Sequence, residues 1–137
     1  AGTGACSFEA LSRGALHATL IEANTDSFKT ILSNAKDLGL EQRITAIRGN
    51  CSGWSNNNAS KQFDIVLSDP PYKAKDINIA LAFKMARHTK DNGIFVLSAP
   101  PDQHETVELR FSQQKNLDFI MHKKHGDGGL YFYRKTN

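Results

Sequence analysis

The sequence predicts a single open α/β domain with a mostly parallel sheet and helices on both faces, and three observations lead there. Strand-like and helix-like segments alternate along the chain, as strands joined by crossover helices do. Ala1-Gly2-Thr3-Gly4-Ala5 turns into a helical segment, and eighteen residues beyond Gly4 a β-branched, apolar run ends in Glu22. That approximates the spacing at which nucleotide-type α/β folds set an acid beside ribose hydroxyls. Further on, the apolar run Phe63–Ser68 stops at Asp69-Pro70-Pro71-Tyr72, so a strand ends in an acid, two prolines and an aromatic ring.

The elements follow in order. Residues 8–13 read as the first helix, stopped by Gly14, and residues 17–22 as a strand. Asn24 or Thr25 can cap a second helix whose Phe28, Ile31, Leu32, Ala35 and Leu38 recur at three and four residues, a spacing that predicts one buried face ended by Gly39. Residues 43–48 form a short strand, and residues 49–62, rich in Ser, Asn and Gly, read as a polar loop with Trp54 as its anchor. Residues 63–68 read as a buried strand. Ile77, Ala80, Leu81, Lys84, Met85 and His88 outline an amphipathic helix, and residues 93–98 another strand. Past Pro100-Pro101 the pattern weakens, until residues 117–122 and 130–134 alternate around His125-Gly126-Asp127-Gly128-Gly129 as two antiparallel strands of a closing hairpin.

At 137 residues the chain is one domain, residues 1–137, and long enough to bury a core. Hydrophobic residues at 39% and charged residues at 23% are globular values, and no apolar run approaches the ~18 residues of a membrane span. The two cysteines, Cys6 and Cys51, have no metal-ligand spacing and read as reduced thiols of a cytoplasmic protein. His17, His88, His104, His122 and His125 form no evident metal cluster, so neither a metal nor a membrane partner is expected. The net charge of +3 permits an anionic partner.

The motifs point to chemistry on an amino group. Consecutive prolines lack N–H groups and fix φ, so the loop after Asp69 is rigid and leaves backbone carbonyls free to accept. Those carbonyls and the Asp69 carboxylate can take both hydrogens of a planar amine, and Tyr72 offers a ring on which a base stacks. The plainer reading is a strand-ending turn. Gly2 and Gly4 let backbone pass close to a ligand near a helix N-terminus; the plainer reading of Glu22 is a strand-end carboxylate that caps the next helix.

Taken together, a Gly-x-Gly turn, Glu22 ending the strand 17–22, Gly49-Asn50 after the strand 43–48 where the pattern has a Gly-acid pair, Asp-Pro-Pro-Tyr after the strand 63–68 and a terminal hairpin resemble the S-adenosylmethionine-dependent amino-methyltransferases. The segments Glu9-Ala10-Leu11-Ser12-Arg13-Gly14-Ala15 and Lys123-Lys124-His125-Gly126-Asp127, the latter leading to Tyr131-Phe132-Tyr133, look like the RsmD-type bacterial 16S rRNA guanine-N2 methyltransferases. The resemblance covers nearly the whole chain and implies a Rossmann-like class I methyltransferase fold. It implies that Gly2, Thr3, Gly4, Glu22, Asn50 and Cys51 border S-adenosylmethionine, and that Asp69, Pro70 and Tyr72 hold the guanine amine. It further implies 16S rRNA or the small ribosomal subunit as partner, and a monomer when complete. Lys73, Lys75, Lys123 and Lys124 are candidate phosphate contacts or solvated surface lysines.

Three features depart from that pattern. Relatives place a strand before the glycine turn, so the chain is expected to be N-terminally truncated and to lack its first central strand. The strands ending at Glu22 and Ser68 are then expected to close on each other or to take a strand from another molecule. Asn50 stands where relatives carry Asp, and Ser98 where they often carry Glu. Two other readings stay open: an amino-methyltransferase of DNA adenine N6 or protein glutamine N5, and a non-catalytic RNA-binding remnant.

Overall fold

The structure, a computed structural model, describes residues 1, 4–69, 79–126 and 128–136. They form two compact units, Ala1–Asn57 and Asn58–Asn137.

In the first unit, Gly4 stands at the N-terminus of α1 (Ala5–Ser12) in the left-handed region with φ 82°. β1 (Ala18–Glu22) follows, then α2 (Thr25–Asp37), a 3-10 turn at Glu41–Arg43, β2 (Ile44–Arg48) and α3 (Cys51–Asn57). Of the two expected caps for α2 it is Asn24 that serves, its side chain accepting the Ser27 amide at 2.9 Å. β1 and β2 pair in parallel, from Ala18 with Ile44 to Glu22 with Arg48. Phe8 and Leu11 of α1, Leu20 of β1, and Ile31 and Ala35 of α2 form the core. The buried face predicted for α2 is narrower than its spacing suggested, since Leu32 and Leu38 are 45% and 59% exposed. The guanidinium of Arg43 donates to the carbonyls of Leu11 at 3.2 Å and of Ala15, closing the last turn of α1 against the 3-10 turn.

The second unit holds β3 (Phe63–Ser68), α4 (Ile79–Ala86), β4 (Thr89–Ala99), a 3-10 turn at Pro101–Gln103, α5 (His104–Ser112), β5 (Leu117–His125) and β6 (Gly128–Lys135). The sheet order is β3-β4-β6-β5. β3 runs parallel to β4, while β6 is antiparallel to both β4 and β5, so the chain ends in the expected hairpin. Phe95 and Leu97 of β4, Tyr131 and Tyr133 of β6, and Val107 and Phe111 of α5 build the core, with the Phe111 and Tyr133 rings stacked 4.7 Å apart.

Several expectations are corrected. Residues 51–57 are helix rather than polar loop, and Trp54 lies buried within that helix. β3 is not a buried strand: it is the outermost strand of its sheet, and Ile65 and Leu67 are 62% and 42% exposed. β4 starts four residues earlier than predicted, at Thr89, because the chain bulges through Asn92 (φ 67°) before the regular pairing that begins at Ile94. α5 lies where the sequence pattern was weak.

Candidate functional site

Parallel pairing sets the carboxyl ends of β1 and β2 side by side, so Glu22, Asn50 and Cys51 meet at one edge, where open α/β sheets bind ligands. The Glu22 side chain is 14% exposed, and its two oxygens face different donors. One accepts the amino group of Ala1 at 2.9 Å, and the other accepts the Asn24 amide at 2.8 Å. Glu22 therefore holds the entry to α2 through the Asn24 amide. The Asn50 amide oxygen accepts the Gly53 amide at 2.6 Å and starts α3, and Cys51 is the first residue of that helix. Burial pushes the Cys51 thiol above its ordinary pKa; the positive amino group of Ala1 opposes this and the Glu22 carboxylate adds to it.

Gly4 lies on the same unit. A side chain there would sit 2.8 Å from Cε2 of Phe8 and 3.1 Å from Cδ2 of Leu20, in a backbone conformation that L-residues rarely adopt. Gly4 can therefore pack against Phe8 and Leu20 in this conformation only because it is glycine. A glycine turn without room for a Cβ and a strand-end carboxylate are groups of the kind that a ribose-bearing ligand requires.

Asp69 belongs to the second unit, exposed and one residue beyond β3. Ser68 before it is in register with Leu97, which is in register with Tyr131, and Tyr131 with His122. Gly2, Thr3, Pro70 and Tyr72, with Lys73 and Lys75, lie outside the described residues. Sequence reasoning missed two features. The first is α3, whose one local signal was Asn50 as a cap directly before Cys51. The second is a contact of Tyr131 with His104 and His122, residues too far apart in sequence for spacing to reveal. Among the described residues no group of three or more His, Cys, Asp or Glu could hold a metal ion, and no helix is long and apolar enough to cross a membrane.

This architecture defines the class: an α/β fold of the class I methyltransferases. The chain belongs to the family described as Conserved hypothetical protein 95, which it matches over residues 1–134. It is 38% identical over 72 residues to the Ribosomal RNA small subunit methyltransferase D of Buchnera aphidicola, a match spanning 53% of this chain and 37% of that protein. An uncharacterized methylase of Rickettsia prowazekii is 24% identical, with 100% of this chain and 74% of the relative covered. Among solved structures, a methyltransferase from Geobacter sulfurreducens superposes with a TM-score of 0.72 at 18% identity, covering 97% of this chain and 67% of that one.

Proposed function

We propose that the protein methylates the N2 amine of a guanine in 16S rRNA of the small ribosomal subunit, using S-adenosylmethionine. The observation that supports this most is Asp69 at the carboxyl end of β3 in a chain of this family. The likeness to a small-subunit rRNA methyltransferase favours RNA over DNA or protein.

In this reading Gly2, Thr3 and Gly4 form the turn that passes close to the cofactor, Glu22 accepts its ribose hydroxyls, and Asn50 and Cys51 border its adenine. When bound, the cofactor supplies an electrophilic methyl group. The Asp69 carboxylate and the Pro70 carbonyl accept the two N–H groups of the guanine amine, which turns the nitrogen lone pair toward the methyl donor. Orientation of this kind supplies several kcal/mol of a displacement barrier, so no nucleophilic side chain is required. The proton that the amine loses passes to the Asp69 carboxylate or to water. Tyr72 stacks the guanine, which must first leave its neighbours in the RNA.

The test is transfer of a labelled methyl group to small subunits from cells lacking the enzyme, followed by nucleoside analysis. N2-methylguanosine is expected. Label confined to ribosomal protein, or to the adenines of DNA added alongside, would overturn the RNA assignment.

A further inference from the structure

Toward its end the outer strand of the hairpin carries His122, Lys123 and Lys124, all exposed. His122 is fixed from beneath. Its ring stacks on Tyr131 with centroids 4.4 Å apart and planes 14° from parallel, and Tyr131 is itself 1% exposed. The Tyr131 hydroxyl is 2.6 Å from Nδ1 of His104, whose Nε2 is 3.0 Å from Glu108. The His104 and His122 rings lie 4.7 Å apart. Gly129 completes the arrangement, because a Cβ there would collide with the His122 ring. An exposed aromatic ring is thus held in one orientation by α5 and β6, with two lysines directly after it.

Register relates this to the candidate site. Ser68, Leu97, Tyr131 and His122 occupy one row across the sheet, and Asp69 follows Ser68 at its other end. Three strand spacings separate the two ends of the row, or about 14 Å. That is the reach of a few nucleotides. Side chains alternate along β5, so Lys123 and Lys124 project to opposite faces of the strip and can engage phosphates on either side of a base lying on His122.

We infer that His122, Lys123 and Lys124 form a subsite for the single-stranded RNA flanking the target guanine, with His122 as a stacking platform and the lysines as phosphate contacts. The inference rests on the rRNA reading above and adds where the flanking strand runs. Preorganisation matters because the ring has already lost its freedom, so a base stacks on it at reduced entropic cost. Histidine serves as such a surface in recognition of unpaired bases.

The test measures binding of the full-length protein to a short fluorescent single-stranded RNA over a range of salt concentrations. His122→Ala should weaken binding about ten-fold, in line with base–aromatic stacking, and His122→Phe should restore most of it. Replacing both lysines by glutamine should lower the salt slope by about 1.4, as two single-strand phosphate contacts would. Gly129→Ala, which keeps every charge but displaces the ring, should weaken binding as His122→Ala does. Wild-type affinity and salt slope in His122→Ala and in the lysine variant would overturn the subsite, as would equal losses with duplex DNA, which offers no unpaired base. If the RNA losses appear but methyl groups go to an atom other than guanine N2, the subsite stands and the proposed activity falls.

Discussion

Replacing Gly4 by alanine should unfold the first unit at markedly lower denaturant concentration. The cost has two parts. The residue sits at φ 82°, and the left-handed conformation costs an L-residue about 1–2 kcal/mol. The added Cβ then meets Phe8 at 2.8 Å and Leu20 at 3.1 Å, side chains only 7% and 2% exposed that have little room to retreat. Overpacking of a core adds about 1–3 kcal/mol, so a loss of roughly 2–5 kcal/mol is expected from the two effects. Trp54, the chain's single tryptophan, lies buried in α3 of the same unit, so its fluorescence reports this transition in a denaturant titration. Gly14→Ala is the matched control: φ there is 115° but nothing lies within 4 Å of a new Cβ, so it carries backbone strain without collision. Equal losses in the two variants would refute the packing part, and wild-type stability of Gly4→Ala would refute the argument altogether.

Further outcomes follow from the same geometry. Glu22→Ala should weaken S-adenosylmethionine binding by roughly 1–3 kcal/mol in calorimetry, the cost of an unmet polar group; unchanged affinity would remove Glu22 from the site. Cys6 is exposed whereas burial keeps the Cys51 thiol protonated, so an alkylating reagent at neutral pH should modify Cys6 first, as peptide mapping would show. The Tyr133 phenol is raised well above its ordinary value, first by burial and then by Tyr131 and Glu108. Its folded value exceeds its unfolded one, so its contribution to stability is complete below about pH 10 and declines as pH rises beyond that. Tyr133→Phe should therefore flatten the alkaline loss of stability of the second unit, and an unchanged pH profile would contradict the shift.

The sequence made much of this fold legible because its strongest signals are local. Asn24 caps α2, the run 63–68 forms β3, and the glycine-rich turn before Leu130 joins two strands, all from chemistry within a few residues. What escaped depends on partners distant in sequence. Ile65 and Leu67 look like core residues in the chain and are exposed because β3 is outermost in its sheet, a fact of strand order that no local pattern contains. α3 was hidden because Ser52, Gly53, Ser55 and Asn56 are poor helix formers, and the helix forms with Asn50 as its cap and Trp54 buried. Glu22 stood out because it ends a β-branched, apolar run, and Asn50 and Cys51 through the family resemblance, whereas the stacking of His122 on Tyr131 depends on hairpin register.

The central claim is that Asp69 orients an amine for methyl transfer, and it is tested most directly by comparing wild-type protein with Asp69→Ala in two measurements on the same samples. One is calorimetric binding of S-adenosylmethionine; the other is the rate at which labelled methyl appears as N2-methylguanosine in 16S rRNA of unmodified small subunits. The account predicts unchanged cofactor affinity with transfer reduced by at least about 100-fold, the lower end for loss of a well-placed polar group that acts in the transition state. Transfer at the wild-type rate by an Asp69→Ala protein that binds cofactor normally would contradict it.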